Sequence, residues 1–137
     1  SVDDRDPFDD TPSFGTDDVE VVLRQTIVIP ATRATIPLAL FQLPAHAATG
    51  VQLKPGQTVK MKVAGVYRIG PGGEHVRGPS GLLIAVGQTG VPALQHQRGA
   101  ENVEFKVQRA GQLFLAVEDL IPADNKGELT VELEVTE

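Results

Sequence analysis

The sequence contains no cysteine and no tryptophan, and a single tyrosine among its 137 residues. Without cysteine there is no disulfide, no thiolate zinc site and no thiol nucleophile. The redox compartment stays open, because a chain without thiols survives in either environment. Aromatic residues make up 4% of the chain, so the core must be built from Val, Leu, Ile and Ala, and no platform of stacked aromatics is available to a sugar. Positive charge is also scarce. Twelve Lys and Arg stand against 18 Asp and Glu, for a net charge of −6, and no basic run occurs. Nucleic acid is therefore excluded as a partner, since phosphate contacts need clustered cations. An acidic balance suits solubility and divalent cations. No apolar stretch approaches the roughly 18 residues of a membrane span. The chain opens without Met or a signal-like apolar segment, so we expect a trimmed chain from which any targeting sequence has been removed.

What is present is 41% hydrophobic residues, enough for one domain of ordinary size with a real core. Residues 1–17, SVDDRDPFDDTPSFGTD, carry six Asp and two Pro. They read as a disordered or loosely docked acidic arm, either a linker from something upstream or a terminus without a role. Residues 18–137 read as a single β domain. VEVVLRQTIVI (19–29) is β-branched and stops at Pro30, and TIPLALFQL (35–43) is apolar and stops at Pro44. In residues 50–70 a turn at Lys54-Pro55-Gly56-Gln57 precedes Val59, Met61 and Val63, which alternate with Lys60 and Lys62. That period of two marks a half-buried strand. GLLIAVG (81–87) is a continuous apolar run between glycines, the pattern of a central strand buried on both faces. Residues 102–119 read as two strands around Arg109-Ala110-Gly111-Gln112, and GELTVELEV (127–135) alternates again. No helical period occurs, and 24 Pro and Gly punctuate the runs. The expectation is an all-β protein, an antiparallel β-sandwich or jelly roll of about eight strands.

Chemistry-bearing residues are few. His46, His75 and His96 fall in separate turn regions, none with a partner at metal-ligand spacing. Ser80, in GPSG, lacks the G-x-S-x-G elbow and its following helix. The glycine-rich GPGG (70–73) opens no helix and so cannot present a helix N-terminus to phosphate. One stretch gathers oxygens: VEDLIPADNKG, residues 117–127, brings Glu118, Asp119, Asp124 and Asn125 together just before the last strand. Calcium takes six to eight oxygens from carboxylates, amides and backbone carbonyls, and Asp119, Asp124 and Asn125 with loop carbonyls could supply them. The spacing and flanks are not those of an EF-hand. Asp, Asn, Lys and Gly are equally favoured turn residues whose side chains bond their own backbone. The residues alone leave a cation site and a polar hairpin turn both open.

The order LPAHAATGVQLKPGQTVKMKVAGVYRIGPGG, GPSG, LLIAVG, VEFKVQRAGQLFLAVEDLIPADNKGELTVELEV resembles the bacterial galactophilic lectin family of the LecA (PA-IL) type, over residues 41–135. The resemblance implies a galactose-binding-like β-sandwich, a lectin-like core at 41–135 preceded by additional strands in 18–40. It implies a calcium ion held by the side chains of Asp119, Asp124 and Asn125 and by the Ile69 carbonyl. It also implies a ligand site at Asp119, Leu120 and Asp124, where two sugar hydroxyls would complete the calcium shell. The sequence departs from that pattern in three places. Glu118 stands where an Asn is expected, LIPA is a short loop, and GPSG runs straight into LLIAVG where family members carry the long loop that contacts the sugar.

These readings lead to a non-catalytic, lectin-like binding domain. It would be calcium-dependent, would recognise a carbohydrate or cell-surface glycan, and would be bacterial and periplasmic or secreted. The alternative is a structural or protein-interaction β-sandwich of the same fold without sugar binding. An enzyme is not expected, since no nucleophile or acid–base pair stands out.

Overall fold

The computed structural model describes residues 20–70, 72, 75–119 and 125–137. Two five-stranded sheets pack face to face. The first, sheet A, contains β1 (Val21–Pro30), β4 (Thr58–Ile69), β5 (His75–Arg77), β8 (Asn102–Lys106) and β10 (Lys126–Thr136). The second, sheet B, contains β2 (Ala34–Thr35), β3 (Ala48–Leu53), β6 (Leu82–Gly87), β7 (Gln95–Arg98) and β9 (Gly111–Glu118). This is the all-β sandwich expected, with ten strands among the described residues where about eight were anticipated.

The alternating segments became sheet A. β10 lies between β1 and β4, antiparallel to both. Val59, Met61, Val63, Tyr67 and Ile69 of β4 face inward with Leu129, Val131, Leu133 and Val135 of β10, and all are buried. The intervening Lys60, Lys62, Glu128, Glu132 and Glu134 face outward, so one face of this sheet is wet. The other edge of β4 is shared: β8 pairs with its first half and β5 with its end. In sheet B, β9 and β6 are central and antiparallel. β3 and the two-residue β2 share the far edge of β9, β2 running parallel to it.

Three departures from the sequence reading have physical causes. Residues 35–43 do not form a strand. Ala34–Thr35 makes a brief pairing, then Pro37 opens a 3-10 turn over Pro37–Phe41, because Pro fixes φ and donates nothing to a ladder. This segment lies over the outer face of sheet B. There Leu43 and Ala47 form a second buried cluster with Ala85, Phe114 and Ala116. Sheet B is thus covered on both faces, which is why β6 is buried at all six positions. β5 (HVR) and β7 (QHQR) are short, polar edge strands with no apolar alternation to reveal them. They carry His75 and His96, which therefore sit on strands and not in turns.

The turns at 54–57 and 107–110 join strands that belong to different sheets, so each is a corner of the sandwich and neither is a hairpin. Gly56 has φ +90 behind Pro55, the arrangement of a type II turn, with Gln57 N–H donating to the Lys54 carbonyl at 3.2 Å. The corners hold one another: Gly56 N–H donates to Val107 O, and Val107 N–H to Gln57 O, both at 2.8 Å.

Candidate functional site

The oxygen-rich stretch leaves β9 at Glu118 and re-enters sheet A at Lys126, so it bridges the two sheets at one end of the sandwich. Leu120 and Asp124 lie outside the described residues. Asp119, Asn125 and Ile69 are described, Asp119 just after β9, Ile69 at the end of β4 and Asn125 just before β10. The last β10–β4 pair is Lys126 with Arg68. Asn125 directly precedes this last pair on one strand and Ile69 directly follows it on the other. Asp119 follows directly on β9, half-buried, its N–H donating to Thr35 O at 3.0 Å.

The segment from the end of β1 through β2 anchors both sides of this stretch, a role that nothing in its sequence, Ala31 to Thr35, announces. Thr35 takes the Asp119 amide, Ala31 N–H donates to Gly127 O at 2.9 Å, and the Asn125 side-chain Nδ2 donates to Ala31 O at 2.8 Å. Asn125 is 7% exposed. Its Oδ1 is buried and has no hydrogen-bond partner among the described residues. A buried carbonyl oxygen without a partner is costly and rare, and Asn125 holds one fixed, with its amide nitrogen pinned the other way. Gly127 follows at φ +94. A Cβ there would stand 2.8 Å from the Val66 carbonyl oxygen, so glycine alone lets the chain turn from the loop into β10 against β4.

Beneath the stretch lies Tyr67, fully buried on the inner face of β4. Its hydroxyl crosses to the other sheet and donates to Glu118 O at 3.1 Å. Burial, chiefly, raises the Tyr67 pKa, and the carboxylates of Glu118 and Asp119 push the same way. The hydroxyl occupies the space where Gly81 would carry a Cβ, so the one tyrosine and this glycine are matched. Glu118 faces elsewhere. Its carboxylate receives two hydrogen bonds from the Arg98 guanidinium, through Nη1 and through Nη2, the latter at 2.9 Å. Arg77 Nη1 stands 3.5 Å from its Oε1. The hydrogen bonds from Arg98 hold the Glu118 pKa below its usual range. Arg98 belongs to β7 and Arg77 to β5, so Glu118 clasps an edge strand of each sheet and is not a free oxygen donor. Sequence reasoning missed this clasp, since neither arginine lies within twenty positions of the other and both sit on strands without a pattern.

The residues set aside in the sequence stand elsewhere in the fold. Ser80 lies in a three-residue 3-10 turn, Pro79–Gly81, that leads directly into β6. His46 lies in another turn, Ala45–Ala47, over sheet B. Among the described residues no group of three His, Asp or Glu is arranged to hold a metal. The set implied by the resemblance would need Asp124 as well. A wider concavity of about 730 Å³ crosses the outer face of sheet A, lined by Arg24, Thr26, Lys60, Lys62, Glu132 and Glu134 among others. Its charges run in rows across the strands, Arg24–Glu134–Lys60–Glu104 in one and Thr26–Glu132–Lys62–Asn102 in the next.

No protein-family model matches the sequence, and no curated protein matches it. Solved structures do. The N-terminal domain of EclA, a PllA-like lectin, is similar with a TM-score of 0.61 at 19% identity, covering 86% of this chain and 98% of that domain. The chain has a lectin-like β-sandwich fold. The periplasmic g-type lysozyme inhibitor PliG of Aeromonas hydrophila matches at a TM-score of 0.39 and 12% identity, over 92% of this chain and 93% of that one, a likeness too loose to establish a common fold. Among the described residues no helix is long and apolar enough to cross a membrane.

Proposed function

We propose that this domain is a non-catalytic, calcium-dependent binding module of the galactophilic lectin type, acting outside the cytoplasm on a carbohydrate or cell-surface glycan. Asp119, Asn125 and the Ile69 carbonyl, with Asp124, would hold the ion. Asp119, Leu120 and Asp124 would border the ligand. The supporting observation is the Asn125 amide. Its nitrogen is committed to Ala31 and its oxygen is buried without a partner among the described residues, which is the donor a cation needs and a plain turn would leave costly. The donor chemistry fits a hard cation, being all oxygen. The ion would supply two coordination places to vicinal hydroxyls, and the protein would fix its position through the β1–β2 loop.

A second reading has its own observation. Pro79–Gly81 passes into β6 without any loop over the site, and Glu118 is held by Arg98. Little protein would then surround a bound sugar, and affinity would be weak. A protein-interaction sandwich is the reading this favours.

The experiment is a thermal melt with and without millimolar calcium after chelation, on the wild type and on Asp124→Ala and Asn125→Ala. A ligand that binds only the folded state raises its stability. We expect a calcium-dependent rise in the wild type that both variants lose. Identical melts in all samples would make the stretch a polar turn and leave the interaction reading standing.

A further inference from the structure

β1 is an edge strand ten residues long. Its inner edge pairs with β10 from Val21 to Pro30, and among the described residues nothing pairs with its outer edge. An unpaired edge is a template for another strand, and soluble proteins blunt such edges with Lys, Pro, inward charges or brevity. Before Pro30 β1 carries no Lys, no Pro and no inward charge, and its pairing with β10 slips register only at its start, between Val21 and Leu23. Its one charge, Arg24, points outward and is paired with Glu134 at 3.0 Å. Val22 and Val28 stay 48% and 46% exposed, Val28 on the outward face opposite Thr130, so each half of the strand leaves apolar surface uncovered. Gln25 lies on the core-facing parity of the strand, in line with Leu133 and Met61. Both of those are buried, yet Gln25 is exposed at the rim. A neutral amide in that place fits half of a polar pair.

We propose that β1 pairs antiparallel with β1 of a second copy of this chain about a two-fold axis through Gln25, joining two five-stranded sheets into one. The sequence is self-complementary in that register. Gln25 meets Gln25, and each amide can donate to and accept from the other. Val22 meets Val28 of the second copy, twice, so the exposed valines cover one another. Arg24 meets Thr26, and Glu20 meets Pro30, so no like charges are opposed, a condition that cross-strand pairs must satisfy. The contact is isologous and closes at two copies. It also sets the two outer concavities of sheet A side by side on one continuous face, since Arg24 and Thr26 line both the concavity and the new seam. The proposal rests on β1 alone and is independent of the calcium reading.

Two measurements on the full chain test it. In sedimentation velocity over a concentration series reaching the high micromolar range, we expect a species of twice 14.6 kDa to grow in with concentration. Val28→Lys, on an exposed side chain, should weaken the association at least tenfold while the variant melts like the wild type at low concentration. The absence of native cysteine permits a second readout. Gln25→Cys should form a disulfide dimer under mild oxidation, while Thr26→Cys and the remote Gln88→Cys should not, because Cα atoms more than about 7 Å apart cannot be bridged. A chain that stays at 14.6 kDa at every concentration overturns the proposal, whether residues 1–19 cover the edge or another protein's strand does. So does a ladder of higher oligomers, and so does crosslinking at 26 in place of 25.

Discussion

Sheet A and sheet B each have five strands among the described residues but meet water differently. β4 and β10 bury one face and send Lys60, Lys62, Glu132 and Glu134 outward. β6 and β9 bury both, because Leu43, Ala47 and the turn before them roof their outer side against Phe114 and Ala85. The difference teaches where this domain keeps its stability and where it has surface to spare. A sheet that is dry on both sides is sensitive to any substitution. A sheet wet on one side can vary there freely, and it is the one that carries the long concavity and the open edge.

That contrast can be broken by substitution. Phe114→Ala, on the outer face of sheet B, should cost about 3–5 kcal/mol, as a buried aromatic truncated in a packed cluster does. Denaturant melts would measure it, and a loss as small as that of a surface residue would mean the roof over sheet B is not packed. Gly81→Ala should come next, at about 1–3 kcal/mol, since the new methyl collides with the Tyr67 ring and hydroxyl. If the collision is the cause, Tyr67→Phe in the same chain should recover part of the loss. Tyr67→Phe alone removes one interlayer hydrogen bond and should cost about 1 kcal/mol.

The Tyr67→Phe variant also carries a pH signature. Because burial raises the folded pKa above the ordinary 10.0, the stabilisation is present below that value. It is lost as pH rises through the folded pKa. The variant should lack that alkaline loss. Glu118→Gln is a smaller perturbation of the opposite sign. Its folded pKa is depressed from 4.5 by Arg98, so the stabilisation is present above 4.5 and lost as pH falls through the folded value. The wild type should show an acid limb that flattens in the variant and weakens in high salt, because the arginines are solvent-exposed. Lys62→Ala, outward on sheet A, should change stability by no more than about 0.5 kcal/mol.

The same contrast explains what the sequence made legible. Alternation in Val59, Met61 and Val63 and in Leu129, Val131 and Leu133 announced the one-sided sheet, and the unbroken LLIAVG announced the two-sided one. What covers the second side was misread. In residues 35–43 only Leu43, with Leu40 partly packed beside it, roofs the neighbouring sheet, while Leu38 and Phe41 stay exposed, and composition does not separate those uses. β5 and β7 were hidden because an edge strand needs backbone partners and no apolar face. At the candidate site, turn chemistry and the resemblance drew attention to Asp119, Asp124 and Asn125. The carbonyls of Ala31 and Thr35, which anchor the stretch, carry no side-chain signal, and the pairing of Tyr67 with Gly81 depends on a contact across the sandwich.

The position of β10 has a consequence for how the molecule is made. It is the last of the ten strands to be synthesised, yet it lies between β1 and β4, and its contacts with β1 span separations such as the 110 residues between Arg24 and Glu134. During translation β1 and β4 must therefore wait, side by side with no partner between them, until β10 emerges. Folding dominated by such distant pairings is slow and leaves strand edges exposed meanwhile. The β-branched stretch from Val21 to Ile29 is thus the edge that stays longest without its native partner, because that partner is made last of the described strands.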